Sequence, residues 1–316
     1  MNVVYVGNVG PAAHATYTTE NHVAKSLAAL GHTVIPVMEG ADCGIEVRRQ
    51  LRAQSADLVL YTRTDGLRWD HGDAIDCWDI CRGRGIPTAS LHLDAFFGLD
   101  RRGVKVASDN ALFAVDYVFT ADGDHQPDFA SRGINHHWLP PGVLFEECGA
   151  GTVQAEFAAD VAWVGSSRGY HREWPRRPQL VAALEQAYAG RLTRAGDGVT
   201  VRERQLNDLY ASTKVSAGDS LAPKREASRY WSDRVPEAAG RGSVLVHPTI
   251  DAAVDLFGDA VVWCGWDIGD QLAAINDVLT WTPTKRAAHI AAAVAHVRRE
   301  HTYRNRCRTM LHTIGL

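Results

Sequence analysis

Short apolar runs alternate along the chain with segments of helical spacing, and this alternation most restricts the possible folds. The first run, residues 3–6, leads into a loop that contains Gly7 and Gly10, and a helix follows from Thr18 or Thr19 to Leu30. Strands that alternate with helices predict a doubly wound parallel sheet. Further strands are predicted at residues 34–37, 58–61, 87–92, 117–120 and 137–139, with helices near 45–51, 73–83 and 128–132.

The alternation stops at Pro140-Pro141-Gly142 and starts again near residue 161, after the aperiodic segment 146–156, which is the best candidate for a linker. The second half has predicted strands at residues 161–164, 214–217, 244–247 and 261–263, a helix at 179–188, and a helical C-terminus from Ile268 with breaks near Pro283 and His301. We therefore expect an α/β protein with two Rossmann-like, doubly wound domains, at residues 1–145 and 158–300. Residues 301–316 form a terminal helix that is expected to pack back on the first domain.

Composition excludes several classes of protein. No apolar run approaches the roughly 18 residues of a membrane span, and the N-terminus lacks the basic and apolar regions of a signal peptide. These features predict a soluble, cytoplasmic protein without a membrane span. Cys77 and Cys81 lie on a predicted helix without a second cysteine pair, so no zinc site is expected and the six cysteines are predicted to be reduced.

Residues 230–237 are the strongest candidate for a binding site. Arg234 can neutralise a phosphate, and Glu237, one helical turn later on the same face, can accept hydrogen bonds from sugar hydroxyls. A nucleotide-sugar site needs both functions. The alternative is an ordinary helix that is capped by Ser232 and carries an Arg/Glu pair on its solvated face.

Several short motifs occur in an order that is more specific than any of them alone. They include Tyr5-Val6-Gly7-Asn8, Thr19-Glu20-Asn21-His22-Val23-Ala24, Leu30-Gly31-His32-Thr33-Val34, Trp138-Leu139-Pro140-Pro141-Gly142, Ala162-Trp163-Val164-Gly165-Ser166, Leu209-Tyr210-Ala211-Ser212-Thr213-Lys214 and His301-Thr302-Tyr303-Arg304-Asn305-Arg306. In this order the chain resembles GT-B fold glycosyltransferases over nearly its whole length, particularly the bacterial and phage CgeB-like branch near families 1 and 4. The resemblance implies two domains that face a cleft.

The resemblance also implies that the C-terminal domain binds a nucleotide sugar, with a UDP-sugar favoured. Glu237 resembles the glutamate that accepts from the donor ribose, and Arg234 and Lys214 are candidates for the diphosphate. Ser232 would add a hydroxyl donor, and the Gly165-Ser166 loop would bring backbone N–H groups close to phosphate. Lys214 as a solvated lysine at a strand end, and Gly165-Ser166 as a simple turn, are the alternatives.

The chain departs from the family pattern at one position. Retaining GT-B enzymes often carry two glutamates with seven residues between them, and here the earlier position is Arg229. The stereochemistry of transfer therefore stays open. GT-B enzymes stabilise the leaving group without an obligatory metal, so we expect neither a metal nor a cofactor. The competing signal is Asp122-Gly123-Asp124 after an apolar strand, since Asp-x-Asp is the metal site of GT-A enzymes.

Loops of the N-terminal domain are expected to supply the acceptor side. Asp94 follows the fourth strand, His14 lies in the loop after the first strand, and Glu20 opens the first helix. Each is a candidate general base for the attacking hydroxyl, and His92 is a candidate acceptor contact. The alternatives are structural. Asp94 would cap a turn, His14 would lie on a surface loop, and Glu20 would stabilise the first turn of its helix through the helix dipole.

Basic and aromatic residues bear on the identity of the acceptor. Arg101 and Arg102 follow the presumed acceptor loop, and Trp174 precedes two further arginines, so these residues are candidates to track a phosphate backbone and stack a base. Relatives of this type occur among phages, which makes hydroxymethylated DNA a candidate acceptor. The formal charge of −4 gives no overall basic field, however. The alternative acceptors are a cell-envelope glycan, a lipid and a protein hydroxyl. The alternative function is that of a protein that binds a nucleotide sugar without catalysis.

Overall fold

The computed structural model describes residues 1–11, 18–53, 56–63, 69–97, 105–167, 174–222 and 225–316. The chain divides into two compact units. The first contains Met1–Pro140 together with Tyr303–Leu316, and the second contains Pro141–Thr302. Each unit has one parallel sheet with helices around it, which confirms the predicted two-domain Rossmann-like fold.

The first unit is built on a six-stranded sheet in the order β2-β1-β3-β4-β5-β6, in which every neighbouring pair is parallel. Its strands are β1 (Asn2–Gly7), β2 (Thr33–Met38), β3 (Leu58–Tyr61), β4 (Thr88–His92), β5 (Tyr117–Thr120) and β6 (His136–Trp138), and its first helices are α1 (Thr19–Ala29), α2 (Cys43–Ala53), α3 (His71–Gly83) and α4 (Gln126–Ala130). β1 is an almost continuous apolar run, as expected for a strand covered on both faces. The hydroxyl of Thr18 caps α1 by accepting from the Asn21 N–H at 3.2 Å.

The second unit is built on a five-stranded parallel sheet in the order β11-β10-β9-β7-β8. Its strands are β7 (Ala159–Val164), β8 (Leu192–Ala195), β9 (Thr213–Ala217), β10 (Leu245–Pro248) and β11 (Val262–Cys264). Its helices are α5 (Arg176–Ala187), α6 (Glu203–Ala211), α7 (Arg234–Gly240), α8 (Asp251–Phe257), α9 (Ile268–Leu279) and α10 (Pro283–Glu300). Apolar residues of α5 and α9, such as Leu180, Leu184 and Ile275, pack on Val161 and Val246 of the sheet to form its core.

The last helix, α11 (Tyr303–Ile314), belongs to the first unit although it follows the whole of the second in sequence. Tyr303, Cys307 and Met310 are buried in the same apolar cluster as Val3 and Val23. The Cys307 thiol donates to the Val23 carbonyl at 3.8 Å. α11 is therefore an integral part of the core of the first unit.

The structure differs from the sequence prediction in the segment proposed as a linker. The Asn207 side-chain amide donates to the carbonyls of Glu147 and Gly149, each at 2.7 Å. The Gly149 N–H donates to the Gly240 carbonyl at 2.9 Å. The segment is aperiodic because hydrogen bonds to α6 and α7, rather than an apolar face, hold it in the second unit. The boundary between the units lies earlier, at Pro140 and Pro141.

Two further observations bear on the sequence prediction. All six cysteines are free, which agrees with their interpretation as reduced thiols. Among the residues that the structure describes, no helix combines the length and the apolar character needed to cross a lipid bilayer.

Candidate functional site

The carboxyl ends of the five parallel strands lie at one edge of the second sheet, and several predicted residues follow them. Gly165 and Ser166 come directly after β7. Ser232, Arg234 and Glu237 lie in the segment between β9 and β10. This edge is where open α/β sheets bind ligands.

Arg234 and Glu237 form an ion pair at the start of α7. The Arg234 guanidinium contacts Glu237 Oε2, and Arg241 Nη2 lies 3.9 Å from Glu237 Oε1. The Glu237 side chain is only 13% exposed. An ionised carboxylate offers roughly four acceptor sites, so contact with two guanidinium groups is compatible with hydrogen bonds to sugar hydroxyls.

Arg241 was not predicted from the sequence. It is 2% exposed and pairs with Glu147, while its Nη1 donates to Asn207 Oδ1 at 2.8 Å and to the Glu203 carbonyl at 2.9 Å. The available sequence signal was its position four residues after Glu237, on the same helical face. Its other partners are distant in sequence, so spacing alone could not identify them.

Ser232 does not cap α7, contrary to the alternative prediction. The residue before the helix is Asp233, which makes no side-chain capping bond. The Ser232 N–H instead donates to Ser220 Oγ at 3.0 Å, and Ser220 Oγ lies 2.9 Å from His247 Nε2. The serine is thus tied to the loop after β9 and to β10.

A buried carboxylate, Asp219, organises the beginning of α5. Its Oδ1 contacts Arg176 Nη1 at 2.6 Å, and its Oδ2 accepts from Trp174 Nε1 at 3.0 Å and lies 3.3 Å from Arg177 Nε. Gln271 Oε1 accepts from Arg176 Nη2 at 2.9 Å. Trp174 was predicted to contact an acceptor, but its indole N–H bonds to this carboxylate inside the second unit.

The Gly165-Ser166 loop makes several hydrogen bonds to the protein. Gly165 has a φ of 148° and donates its N–H to the Ala195 carbonyl at 2.8 Å. Ser166 Oγ donates to Asp197 Oδ1 at 2.8 Å, and the Ser167 N–H donates to the same oxygen at 2.9 Å. These donors bond to a carboxylate and a carbonyl, so phosphate binding by this loop stays a prediction.

Lys214 lies at the other edge of the sheet. It is the second residue of β9, and its Nζ is 2.7 Å from Asp160 Oδ1, near the beginning of β7. The hydrogen bond from Lys214 and its charge lower the pKa of Asp160, and Arg191 adds to the effect from 3.0 Å. Lys214 is at the amino end of its strand, away from the carboxyl edge, so we propose that it lies outside the donor site.

In the first unit, the carboxyl end of β4 carries two of the predicted residues. His92 is the last residue of the strand, and the Asp94 N–H donates to His92 Nδ1 at 3.2 Å. The His92 ring packs edge-on against Phe96 with 4.5 Å between ring centroids. Asp94 therefore lies at the edge of the sheet where ligands of such folds bind, as the strand prediction required.

Asp122 holds this loop through hydrogen bonds to its backbone. Its carboxylate accepts from the Phe96 N–H at 2.8 Å, from the Phe97 N–H at 3.0 Å and from Thr120 Oγ1 at 2.9 Å. The residue is 2% exposed, and burial raises its pKa. These contacts assign Asp122 a structural role, and the described residues contain no group of three potential metal ligands that involves it.

Glu20 is buried at the beginning of α1, close to the end of β1. A Cβ atom on Gly7 would lie 3.0 Å from the Thr62 carbonyl oxygen and 3.3 Å from Glu20 Cγ, so a larger residue there would crowd both neighbours. Burial, followed by the Glu20 charge, raises the pKa of Tyr5. Glu20 is thus placed near the carboxyl edge of the first sheet. His14, Arg101 and Arg102 lie outside the described residues.

Comparison with known proteins supports the architecture. Residues 156–312, just under half of the chain, match the model of a family described as glycosyl transferase-like. Sequence comparison finds no significant match among curated proteins. These residues contain Asp219, Ser232, Arg234, Glu237 and His247.

Solved structures with the same fold cover essentially the whole chain. Sucrose-phosphate synthase from Thermosynechococcus elongatus is 10% identical with a TM-score of 0.61, over 100% of this chain and 98% of that chain. HepE from Anabaena, solved in complex with UDP and glucose, is 12% identical with a TM-score of 0.58, over 99% of both chains. A UDP-forming α,α-trehalose-phosphate synthase from Burkholderia vietnamiensis is 11% identical with a TM-score of 0.59, over 99% and 98%. At these identities the likeness establishes the fold.

Proposed function

We propose that the protein is a glycosyltransferase that uses a nucleotide-sugar donor, with a UDP-sugar favoured. The observation that carries the proposal is the Arg234–Glu237 pair, which lies beyond the carboxyl ends of the strands and inside the segment that matches the glycosyl transferase-like family. Arg234 supplies positive charge for a diphosphate, and Glu237 supplies acceptors for ribose hydroxyls. The solved structure of HepE with UDP and glucose supports the choice of donor.

In the proposed reaction an acceptor hydroxyl attacks the anomeric carbon of the donor sugar. A new C–O bond forms, the bond from that carbon to the diphosphate oxygen breaks, and UDP leaves with the bonding electron pair. Asp94 is the proposed base for the hydroxyl proton if the reaction inverts configuration, because it follows β4 at the ligand-binding edge of the first sheet. Arg234 stabilises the charge that develops on the leaving diphosphate.

We propose that this stabilisation does not require a metal ion. The Asp-x-Asp motif begins at Asp122, whose carboxylate accepts hydrogen bonds from two backbone N–H groups and a hydroxyl. Reorienting it toward a metal would leave those buried donors without partners. Guanidinium groups near Glu237 provide an alternative source of positive charge.

We propose hydroxymethylated DNA as one acceptor, and two contacts within the second unit count against it. Trp174, predicted to stack a base, donates its indole N–H to Asp219, and Arg176 pairs with the same carboxylate. Salt-sensitive binding of duplex DNA, reduced by Arg101→Ala with Arg102→Ala, would support this acceptor. Absence of binding at low salt would favour a glycan, lipid or protein hydroxyl.

The donor proposal is tested by the thermal unfolding of the protein with UDP-glucose, other UDP-sugars and GDP-sugars, each with Mg²⁺ and with EDTA. A ligand that binds only the folded state raises the melting temperature by mass action. We expect a UDP-sugar to raise it equally with and without metal, and Glu237→Gln to remove most of the rise. Lys214→Ala is the matched control and should keep it.

Two results would contradict the proposal. A rise that requires Mg²⁺ and disappears in Asp122→Ala would favour a metal-dependent enzyme, and no rise with any nucleotide sugar would remove the donor assignment. Slow release of UDP from a bound UDP-sugar without acceptor separates an enzyme from a binding protein. A protein that binds the donor and never releases UDP, with any acceptor hydroxyl supplied, is a binding protein.

A further inference from the structure

A buried polar cluster links the loop after β9 to the segment that leads into α7. His247, in β10, is fully buried, and its two ring nitrogens contact the Pro248 carbonyl at 2.7 Å and Ser220 Oγ at 2.9 Å. Ser220 Oγ also lies 3.0 Å from the Ser232 N. The donor-binding scheme above gives His247 and Ser220 no role, and gives Ser232 only that of a hydroxyl donor.

The chemistry of the partners determines where the hydrogens are. A carbonyl oxygen only accepts, so His247 Nδ1 must carry the proton that is donated to the Pro248 carbonyl. Burial lowers the pKa of His247 to about 4, so the ring is neutral near pH 7 and Nε2 is an acceptor. Ser220 therefore donates its one hydroxyl proton to Nε2, and its oxygen accepts from the Ser232 N–H.

Close packing holds the ring in place. A Cβ atom on Gly218 would lie 2.7 Å from His247 Cδ2 and 2.9 Å from Leu245 Cδ1, so only glycine fits against the imidazole at this position. The Gly218 carbonyl accepts from Gln271 Nε2 at 2.8 Å, and the Gly218 N–H donates to the Val246 carbonyl at 2.8 Å. The ring and the loop that carries Ser220 are thus fixed relative to β10.

The same loop carries Asp219, which fixes the beginning of α5 through Arg176. Ser232 lies at the end of this segment, just before α7. The Ser232 carbonyl accepts from the Val235 N–H at 3.2 Å and so fixes the first turn of the helix. The Glu237 N–H donates to the adjacent Asp233 carbonyl at 3.0 Å. The position of the Arg234–Glu237 pair therefore depends on the position of Ser232.

We propose that His247, acting through Ser220, is a positioning residue for donor binding: the bonds from Nε2 to Ser220 and from Ser220 to Ser232 set the place of Arg234 and Glu237. The inference rests on the proposed function, since it assigns His247 to the same donor site. It goes beyond that function by naming a residue that does not itself contact the donor and by specifying its tautomer. A neutral acceptor at the Nε2 position is what the role requires.

The experiment combines a conservative rescue with donor binding. His247→Leu removes the Nε2 acceptor, whereas His247→Gln places an amide oxygen near the former Nε2. We expect His247→Leu to weaken UDP-glucose binding by about tenfold, because a hydrogen bond is lost and Ser232 is no longer held in place. His247→Gln should restore most of the affinity. Binding is measured by calorimetry on protein that is shown to be folded by circular dichroism.

A kinetic measurement separates positioning from general destabilisation. If His247 positions the donor segment, His247→Leu raises KM for the donor at saturating acceptor and also lowers kcat, because Arg234 is displaced from the leaving diphosphate. Loss of folded protein would lower kcat and leave KM unchanged. Folded His247→Leu and His247→Gln proteins with unaltered donor affinity and KM would overturn the proposal. If His247→Leu does not fold, Ser220→Ala takes its place, with the same expected loss.

A spectroscopic measurement on ligand-free protein makes failure of the inference distinguishable from failure of the proposed function. Long-range ¹H–¹⁵N correlation spectra, with the His247 signals identified by their absence in His247→Gln, should show the Nδ1–H tautomer without titration between pH 5.5 and 8. An Nε2–H tautomer, or titration near pH 6.5, would overturn the positioning scheme even if donors bind. If the tautomer is as proposed but wild-type protein binds no nucleotide sugar, the donor assignment fails and the positioning role falls with it.

Discussion

The two edges of the five-stranded sheet in the second unit contain the same types of charged residue and use them differently. At the amino edge Lys214 and Arg191 pair with Asp160, and both cationic side chains are more than half exposed. At the carboxyl edge Arg176 pairs with the fully buried carboxylate of Asp219. Exposed pairs contribute little to stability, whereas removal of one member of a buried pair leaves an uncompensated charge.

The comparison shows that the role of a charged residue depends on whether it lies at the amino end or the carboxyl end of its strand. The predicted strand at residues 214–217 already placed Lys214 at its amino end, away from the ligand-binding edge. The family resemblance nevertheless suggested a phosphate contact for it. Strand direction argues against that contact, and four predictions test the comparison.

The largest effect is expected for Asp219→Ala, which leaves Arg176 buried without its carboxylate. We expect the free energy of unfolding to fall by about 3–5 kcal/mol, measured by urea denaturation. The matched variant at the exposed edge, Asp160→Ala, should lose about 0–1 kcal/mol. Equal losses in the two variants would contradict the distinction between the edges.

Groups at the two edges should also affect the free energy of unfolding in different pH ranges. Burial lowers the pKa of His247 to about 4, below the 6.5 of an exposed histidine, so between these values the unfolded chain binds more protons. Stability is therefore retained above pH 6.5 and falls as the pH drops toward 4, by about 3 kcal/mol for this group. Asp160, whose pKa is lowered by Lys214, loses its contribution only below its ordinary range.

Urea denaturation at several pH values measures this difference. His247→Gln should flatten the dependence of stability on pH between 6.5 and 4. His136, which also has a pKa lowered by burial to about 4, should preserve part of the slope in that variant. An unchanged slope in His247→Gln would show that His247 is not neutral and buried as described.

A smaller effect is expected for Glu237→Gln, which keeps the shape of the side chain and removes its charge. Hydrogen bonds to charged groups contribute about 1.5–3 kcal/mol, so the Kd for a UDP-sugar should rise by about 10- to 100-fold. Isothermal titration calorimetry measures the change. Unchanged affinity in a folded variant would place the donor elsewhere.

The smallest effect is expected for Lys214→Ala. Its ion pair is half exposed and lies at the amino edge, so stability should change by less than about 1 kcal/mol and donor affinity should stay the same. The same calorimetric titration checks it. A large loss of donor affinity would restore Lys214 to the binding site and break the comparison between the edges.

The sequence predicted most of the fold because buried parallel strands are continuous apolar runs. β1, β3 and β5 are examples, and all the predicted strands are present. It did not predict β8, the edge strand next to β7. Its sequence, Leu192-Thr193-Arg194-Ala195, contains two polar residues and is not a continuous apolar run. Helices α6 and α8 were not identified from the sequence.

For the candidate site, the sequence indicated the residues whose spacing is local. Arg234 and Glu237 were three positions apart on one helix, and Asp94 followed a clear strand. Arg241 was missed because its partners include Glu147, and His247 was missed because its partner is Ser220, 27 residues earlier. Such contacts depend on the order of strands in the sheet, which local periodicity does not determine.

Helix α11 has a consequence for the order in which the protein can fold during synthesis. The first unit begins with β1 but needs Tyr303, Cys307 and Met310 to close its core, so its apolar face at α1 stays uncovered until the ribosome has made those residues. The second unit is one continuous segment, Pro141–Thr302, and has all its residues earlier. Although domains near the N-terminus usually fold first, the first unit here can complete its core only after the second unit has been synthesised.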